Sequence, residues 1–334
     1  MNNIDIKENY IYQLDNELLG ILLMDRTSGK TIIWATDNYA SRGTGYMFSD
    51  HISVVAVTGY HGNVIKPRTE KSKKEQLSRV RDKAEVFTPS WICNKQNNLV
   101  DNAWFGKANV FNTEKENGWT SRKKPIPFPT KSGKTWQDYV VANRMEVSCG
   151  EAPYIVSRYD TVTGEIIAVK NRIGMLDRKL RVVSENTDSE PEWYEWAKKA
   201  FMSIYGFDWQ GDNVLLAREN LLFTFSDYYI EKFGVAPIKE YLKEVAEILS
   251  WNIWQMDGLK CVVPYSCRKI KGNYQQMNLF EGAEKETSVN CPGCEKNDIY
   301  KHNGIYCRIF DWTNYKKSIP FIDVLKEGTK RGKI

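Results

Sequence analysis

Long apolar runs are absent from this sequence of 334 residues. No segment approaches the ~18 consecutive apolar residues that cross a bilayer. The first residues, Met1 to Asp5, carry no basic patch followed by an apolar stretch. Internal repeats and low-complexity tracts are lacking as well. We therefore expect neither a membrane span nor a secretion signal, and a cytoplasmic protein.

Cysteine pairing and a strong net charge are also lacking. Seven cysteines form an odd, unevenly spread set, which is not typical of a secreted disulfide framework and predicts reduced thiols, some of them on a metal. The net charge of +5 permits contact with nucleic acid without demanding it. Residues 66–83 and 122–134 concentrate lysine and arginine. Each stretch is interpreted either as a phosphate-binding surface or as an ordinary solvated face.

The hydrophobic fraction of 42% is enough for one large or two modest domains. Short apolar runs alternate with turns such as Ser28-Gly29 near the N-terminus, whereas strand and helix signals alternate beyond Trp136. The second pattern predicts an α/β fold with a parallel sheet. We divide the chain into residues 1–64, β-rich; 65–137, a basic helix and a loop at 112–135; 138–265, an α/β core; and 266–334, a small cysteine-containing region.

Two parts of the core have the chemistry of a nucleoside site. In an open α/β sheet, glycine lets the first turn approach the ligand, and an acid that ends the second strand accepts hydrogen bonds from ribose. Gly150 follows a predicted strand at 145–147, and Asp208 ends a second strand at 204–208. About fifty residues separate the two parts, against ~30 in a simple strand–helix–strand unit. The excess, residues 160–190, predicts an inserted hairpin and helix.

Four segments resemble, in order, motifs X, I, II and III of the N6-adenine DNA methyltransferases of type I and type IIG restriction-modification systems. They are Ala-Glu-Val-Phe-Thr-Pro at 84–89, Glu-Val-Ser-Cys-Gly-Glu-Ala-Pro-Tyr at 146–154, Tyr-Gly-Phe-Asp at 205–208 with the helix after it, and Asn-Ile-Trp-Gln-Met-Asp-Gly-Leu at 252–259. The resemblance covers roughly residues 80 to 260. It implies a Rossmann-like core that binds S-adenosyl-L-methionine (AdoMet).

The resemblance also implies roles for single residues. Phe87, Thr88 and Pro89 are expected at the methionine moiety, Asp208 at the ribose and Asp257 at the adenine. Thr88 and Pro89 are also typical of an ordinary helix start. The full set of cofactor-binding residues implied by the resemblance is Phe87, Thr88, Pro89, Glu146, Ser148, Cys149, Gly150, Asp208 and Asp257.

A catalytic motif is missing. The family methylates an exocyclic base amine through an Asp/Asn/Ser-Pro-Pro-aromatic sequence, and no Pro-Pro dipeptide occurs in this chain. We assign no catalytic residue. Either the enzyme is split and a partner chain carries this motif, or the chain is an inactive relative that senses AdoMet or binds DNA. We favour the split enzyme because motifs X to III look intact.

The C-terminal region carries a possible zinc site. Cys291-Pro-Gly-Cys294 presents two thiolates to one ion, and His302 and Cys307 could complete a tetrahedral set. Cys261 and Cys267 are rival ligands, and a pair of reduced surface thiols is the alternative.

The sequence thus predicts the AdoMet-binding component of an adenine-specific DNA methyltransferase. The alternative is a non-catalytic, zinc-containing DNA-binding or scaffolding subunit with a degenerate methyltransferase core.

Overall fold

The computed structural model describes residues 7–83, 85–129, 133–271, 288–313 and 317–331. The fold is mixed α/β. No helix within these ranges is long and apolar enough to cross a membrane. The helices are α1 (Glu8–Leu14), α2 (Leu18–Leu23), α3 (Val54–Val57), α4 (Lys73–Lys83), α5 (Ser90–Phe105), α6 (Trp136–Val141), α7 (Met175–Asn186), α8 (Glu190–Met202), α9 (Gly211–Phe233), α10 (Lys239–Asn252), α11 (Pro292–Lys296) and α12 (Phe321–Arg331).

The described strands form one parallel sheet and four two-stranded antiparallel sheets. They are β1 (Met24–Asp25), β2 (Lys30–Thr31), β3 (Asn112–Lys115), β4 (Gly118–Ser121), β5 (Arg144–Val147), β6 (Ile204–Asp208), β7 (Ile253–Gln255), β8 (Ile270–Lys271), β9 (Ser288–Val289), β10 (Arg308–Asp311) and β11 (Lys317–Pro320).

The central sheet has the order β5-β6-β7, and all three strands are parallel. Helices α7 and α8 lead from β5 to β6, and α9 and α10 lead from β6 to β7. The predicted strands at 145–147 and 204–208 are thus present. The third strand starts at Ile253, because Trp251 and Asn252 continue α10.

Glycine at position 206 allows close packing on one face of this sheet. A Cβ there would lie 3.2 Å from the Cδ1 atoms of Ile155 and Ile253 and 3.3 Å from the Sγ atom of Cys149. These distances are tighter than ordinary contacts between buried carbons. The loop after β5 can therefore pack directly on β6.

Arg218, fully buried in α9, joins the core helices to the sheet. Its Nε donates to the Ile253 carbonyl at 2.8 Å, and its terminal nitrogens donate to the carbonyls of Met24 at 3.0 Å and Ser250 at 3.1 Å. Burial lowers the pKa of Arg218 to about 9. With the Leu22 carbonyl, which also accepts from this guanidinium, four polar partners offset the cost of burying this cation.

The N-terminal region differs from the β-rich prediction. The hairpin β1–β2 turns around Ser28-Gly29 as expected, but α1 and α2 precede it. Leu18, Leu19, Leu22 and Leu23 are fully buried in α2. Their spacing places them on one helical face, which packs against α9 and α10. Packing of this apolar face against α9 and α10 therefore favours a helix at 18–23.

The predicted loop at 112–135 contains the hairpin β3–β4. Most residues of these strands are polar and exposed or half-buried. Without alternating apolar residues, the hairpin has no periodic signal in the sequence.

The C-terminal region packs on the face of the central sheet that lies opposite the main hydrophobic core. A second, smaller hydrophobic cluster covers the ends of β6 and β7 and is separate from the main core. It consists of Phe207, Trp254, Met256, Cys261, Cys307, Ile309, Phe321 and Ile322.

Candidate functional site

A cleft of about 580 Å³ opens at the carboxyl ends of β5 and β6. Parallel strands present their ligand-binding loops at this edge. The structure brings seven of the nine predicted cofactor-binding residues to the cleft wall. These are Phe87, Thr88, Glu146, Ser148, Cys149, Gly150 and Asp208.

A tight turn directly after β5 is hydrogen-bonded to the end of β6 at the cleft. The Gly150 N–H donates to Asp208 Oδ2 at 3.0 Å. Gly150 has φ +52°, and two non-glycine residues of the same turn, Ser148 (φ +52°) and Ala152 (φ +64°), also adopt left-handed backbone conformations. Such conformations cost free energy outside glycine and concentrate at functional sites. The carboxylate of Asp208 helps to hold this strained turn in place.

Asp208 is buried and accepts further hydrogen bonds. Its Oδ1 accepts from the Gln210 N–H at 2.9 Å and from Asn213 Nδ2 at 3.4 Å. Burial raises the pKa of Asp208 to about 6, although these hydrogen bonds and that from Gly150 oppose the shift. The group is therefore mainly ionised at pH 7, and a carboxylate with four lone-pair sites can accept another donor.

Glu146 holds the far side of the same loop. Its carboxylate accepts from the backbone N–H groups of Tyr154 at 3.4 Å and Ile155 at 3.2 Å. Burial raises the pKa of Glu146 well above its usual value, and the nearby charge of Asp208 acts in the same direction. A proton on one of the two carboxyl groups is thus favoured.

Two buried polar atoms belong to residues of the cleft wall. Among the described residues, neither Asn213 Oδ1 nor Thr36 Oγ1 has a hydrogen-bond partner. Asn213 is 1% exposed and Thr36 is 4% exposed. Unsatisfied buried polar atoms are rare in native proteins and call for a partner. The cleft therefore fits a ligand that offers both donors and acceptors.

Phe87 supplies an apolar wall. Its Cε1 lies 3.6 Å from the position that a Cβ on Gly150 would take. The Arg68 guanidinium lies 5.1 Å from the centre of the Phe87 ring, within the range of a cation–π contact. This pair fixes the orientation of the ring beside the turn.

Two predicted residues lie elsewhere. Pro89 precedes α5 at its N-cap position and lines a different groove, outside the cleft. Asp257 caps the turn after β7: its carboxylate accepts from the Leu259 N–H at 3.1 Å and pairs with Lys260 at 3.1 Å. Neither residue is brought to the cleft wall.

The cleft includes residues that sequence reasoning missed, among them Glu85, Trp209, Gln210 and Asn213. The last three lie between the end of β6 and the first turn of α9. Their signal was available, because the segment after an acid-ending strand lies at the mouth of a parallel sheet.

Part of the basic stretch at 66–83 lies in the interior. Arg79 pairs with Glu85 at 3.1 Å and with Asp212, which also accepts from Tyr39 Oη at 2.7 Å. Burial raises the pKa of Asp212, but the charges of Arg79 and Lys71 and the hydrogen bonds from Arg79 and Tyr39 together hold it below the usual value. Lys71 is also buried. These cations support the fold beside the cleft and do not form an exposed surface.

A second candidate site lies in the C-terminal region. The ligand atoms of Cys267, Cys291, Cys294 and His302 all lie within 4.8 Å of one another and could hold a metal ion. The distances from His302 Nδ1 to the three Sγ atoms are 3.6, 3.5 and 3.6 Å. Tetrahedral metal bonds of ~2.0–2.3 Å place ligand atoms at such separations.

Backbone contacts support this cluster. The Asn303 N–H donates to Cys291 Sγ at 3.2 Å. A Cβ on Gly293 would lie 2.6 Å from the backbone N and the Nδ1 of His302. Only glycine therefore lets the Cys291–Cys294 turn approach the histidine so closely.

Cys307 lies outside the cluster, although the sequence predicted it as the fourth ligand. It is fully buried in the smaller hydrophobic cluster, and its thiol donates to the Gln255 carbonyl at 3.4 Å. Burial raises the pKa of the Cys307 thiol well above its usual value. Cys267, one of the two rival ligands, occupies the fourth position.

Comparisons of the chain with family models, with curated proteins and with solved structures find no match. Its function must therefore be argued from the geometry of the two sites.

Proposed function

We propose that the chain is the AdoMet-binding component of an adenine-specific DNA methyltransferase from a restriction-modification system. In this proposal, the three-stranded sheet and its helices are a Rossmann-like methyltransferase core. The observation that carries the proposal is the 3.0 Å hydrogen bond between Gly150 and Asp208 at the cleft. It joins the two segments that resemble motifs I and II.

The residues of the cleft fit the functional groups of AdoMet. Asp208 would accept from the ribose hydroxyls, and the unpaired Oδ1 of Asn213 would accept from a further ligand donor. Thr36 supplies a buried hydroxyl, and Phe87 supplies an apolar wall at the side where resemblance to motif X places the methionine moiety. AdoMet, when bound, supplies an electrophilic methyl group on its sulfonium.

The catalytic step would need a second chain. No Pro-Pro dipeptide occurs in this sequence, so the groups that hold the target adenine would come from a partner with an Asp/Asn/Ser-Pro-Pro-aromatic motif. DNA would then lie between the two subunits. The exposed residues Lys73 and Lys74, in the same helix as the buried Arg79, are available for phosphate contacts from this chain.

The first test is titration of the purified chain with AdoMet by calorimetry. We expect Asp208→Ala to weaken binding about ten- to a hundredfold, because a charge-assisted hydrogen bond contributes about 1.5–3 kcal/mol. Asp257→Asn is the matched control: it changes an acid that the resemblance assigns to the adenine but that lies outside the cleft wall. We expect wild-type affinity for this variant.

Absence of binding by the native chain would reject the proposal. With zinc present and AdoMet binding absent, the non-catalytic DNA-binding or scaffolding subunit becomes the better interpretation. If AdoMet binds, methyl transfer to DNA should require a chain that carries the missing motif, and transfer by this chain alone would reject the split enzyme.

The proposed metal is zinc, held by Cys267, Cys291, Cys294 and His302. Three thiolates and one imidazole suit Zn²⁺ and fill its tetrahedron, so the ion would be structural, without an open position for substrate.

Metal analysis of variants tests this ligand set. We expect one zinc per chain in the wild type and in Cys307→Ser, and loss of zinc in Cys267→Ser and Cys294→Ser. Retained zinc in Cys267→Ser together with its loss in Cys307→Ser would show that the set is wrong.

A further inference from the structure

Strand β5 forms an open edge of the central sheet. Among the described strands, it pairs with β6 alone. The Arg144 N–H donates to the Ser203 carbonyl at 2.9 Å, so residue 144 directs its backbone groups towards β6. Backbone groups alternate in direction along a strand, and those of Met145 and Val147 therefore point away from the sheet. Such an unpaired row is a template for another strand.

The side chains next to this edge are apolar and exposed. Met145 is 43% exposed, and Val147 is 62% exposed. A groove of about 900 Å³ lies beside Met145 on the same face of the sheet, with Tyr205 and Phe321 in its wall. Natural edge strands commonly carry charge, proline or a covering element. In β5, by contrast, the two residues whose backbone groups point away from the sheet, Met145 and Val147, have apolar side chains. The surface is suited to a further strand and the element attached to it.

The order of the strands indicates which half of a sheet is missing. Doubly wound sheets have the strand order 3-2-1-4-5-6, and their ligand lies where the order reverses, between strands 1 and 4. Strands β7, β6 and β5 correspond to 3, 2 and 1 in this order. The cleft lies at the carboxyl end of β5, which is the point of reversal. A strand added to β5 would thus end at the cleft.

We propose that the catalytic partner adds a parallel strand to β5, and this inference depends on the function proposed above. The occupant is a β-strand of a second protein, with alternate apolar side chains towards the groove and the catalytic tetrapeptide directly after its last residue. Backbone hydrogen bonds to Met145 and Val147 supply the affinity, and the groove supplies the specificity. The active site then forms from the carboxyl ends of β5 and of the added strand.

The test uses the full-length chain and two variants of Met145, a residue outside the cleft wall. Met145→Pro removes an outward N–H and leaves the ladder with β6 intact, since proline is tolerated in edge strands. Met145→Ala shortens the side chain and keeps the N–H. Each tagged chain is expressed in the organism that naturally carries the protein. The proteins captured with it are identified by mass spectrometry. AdoMet titration of all three chains is the control for folding and for the cleft.

We expect the wild type and Met145→Ala to capture a protein with an Asp/Asn/Ser-Pro-Pro-aromatic motif, and Met145→Pro to capture about tenfold less or none. Hydrogen exchange at Met145 and Val147 should slow in the complex. AdoMet affinity should be the same in all three chains.

Equal capture by Met145→Pro, with normal AdoMet binding, overturns the added strand and leaves the proposed function in place. Failure to capture any chain with the motif overturns the inference as well. If sedimentation shows that the wild type is a dimer and that Met145→Pro is a monomer, a second copy of the chain occupies the edge, and the proposed partner strand is overturned. Absence of AdoMet binding in the wild type rejects the proposed function itself.

Discussion

At the scale of single residues, Asp208 combines a structural and a proposed ligand-binding role. It holds the Gly150 turn and the Gln210 amide, and burial raises its pKa to about 6. An ionised carboxylate accepts hydrogen bonds at both oxygens, whereas the protonated form loses acceptor capacity. The protonation state of this one group should therefore control the affinity of the cleft.

The pH dependence of AdoMet binding follows from this pKa. Asp208 is mainly ionised at pH 7 and mainly protonated at pH 5, so a ligand that requires the carboxylate should bind about tenfold more weakly at pH 5. Calorimetry at the two values measures the ratio. Asp208→Asn should bind weakly at both values, with a much smaller ratio. A wild-type affinity that is constant between pH 5 and 7 would mean that Asp208 does not accept from the ligand as its carboxylate.

Residue types and short spacings predicted part of both sites. Gly150 and Asp208 are predictable because a turn glycine and a strand-ending acid have recognisable local chemistry. The sequence favours Cys307 and offers Cys267 only as a rival ligand, because spacing along the chain does not report which thiol faces His302. That choice depends on packing: the thiol of Cys307 contacts the end of β7.

At the scale of elements, α4 is fixed to the start of α9 by one buried cation. Arg79 contacts both Glu85 and Asp212, and Tyr39 donates to the same aspartate. The side chains of Arg79, Glu85 and Asp212 are at most 7% exposed. Removal of the arginine would leave two carboxylates close together without their counter-charge.

We expect Arg79→Ala to lower the free energy of unfolding by about 3–5 kcal/mol, because breaking a buried ion pair strands an uncompensated charge. Denaturant unfolding at pH 7 measures the change. Lys74→Ala, on the exposed side of the same helix, should change stability by no more than about 0.5 kcal/mol. Similar losses for both variants would show that the network adds nothing beyond a surface charge.

Elements with strong periodicity were predictable, and others were not. The strand at 204–208 and helices α9 and α10 follow from apolar spacing and turn signals. Leu18 to Leu23 form a helix although an apolar run next to a turn also fits a strand, and only packing against α9 and α10 decides between the two. The hairpin at 112–121 has no such signal in the sequence, because its side chains are mostly polar and exposed or half-buried.

At the scale of the whole molecule, two hydrophobic clusters share the central sheet. The larger surrounds α9, and the smaller lies on the other face, around Phe207, Trp254 and Phe321. The cysteine–histidine cluster joins Cys267, which follows β7, to the first turn of α11 and to His302 after it. Small clusters contribute little stability alone, so the proposed ion would be needed mainly for this part of the molecule.

Removal of the metal should therefore loosen one part of the protein and leave the other intact. After chelation, we expect amide exchange at 291–307 to accelerate about tenfold or more, whereas amides of α9 keep their protection. AdoMet affinity should change little, because the cleft wall contains none of the four ligands. Cys267→Ser without chelator should reproduce the pattern, and Cys93→Ser, which changes a buried cysteine outside the cluster, should not. Uniform acceleration across both parts would mean that the ion supports the whole fold, and unchanged exchange at 291–307 would mean that the cluster closes without it.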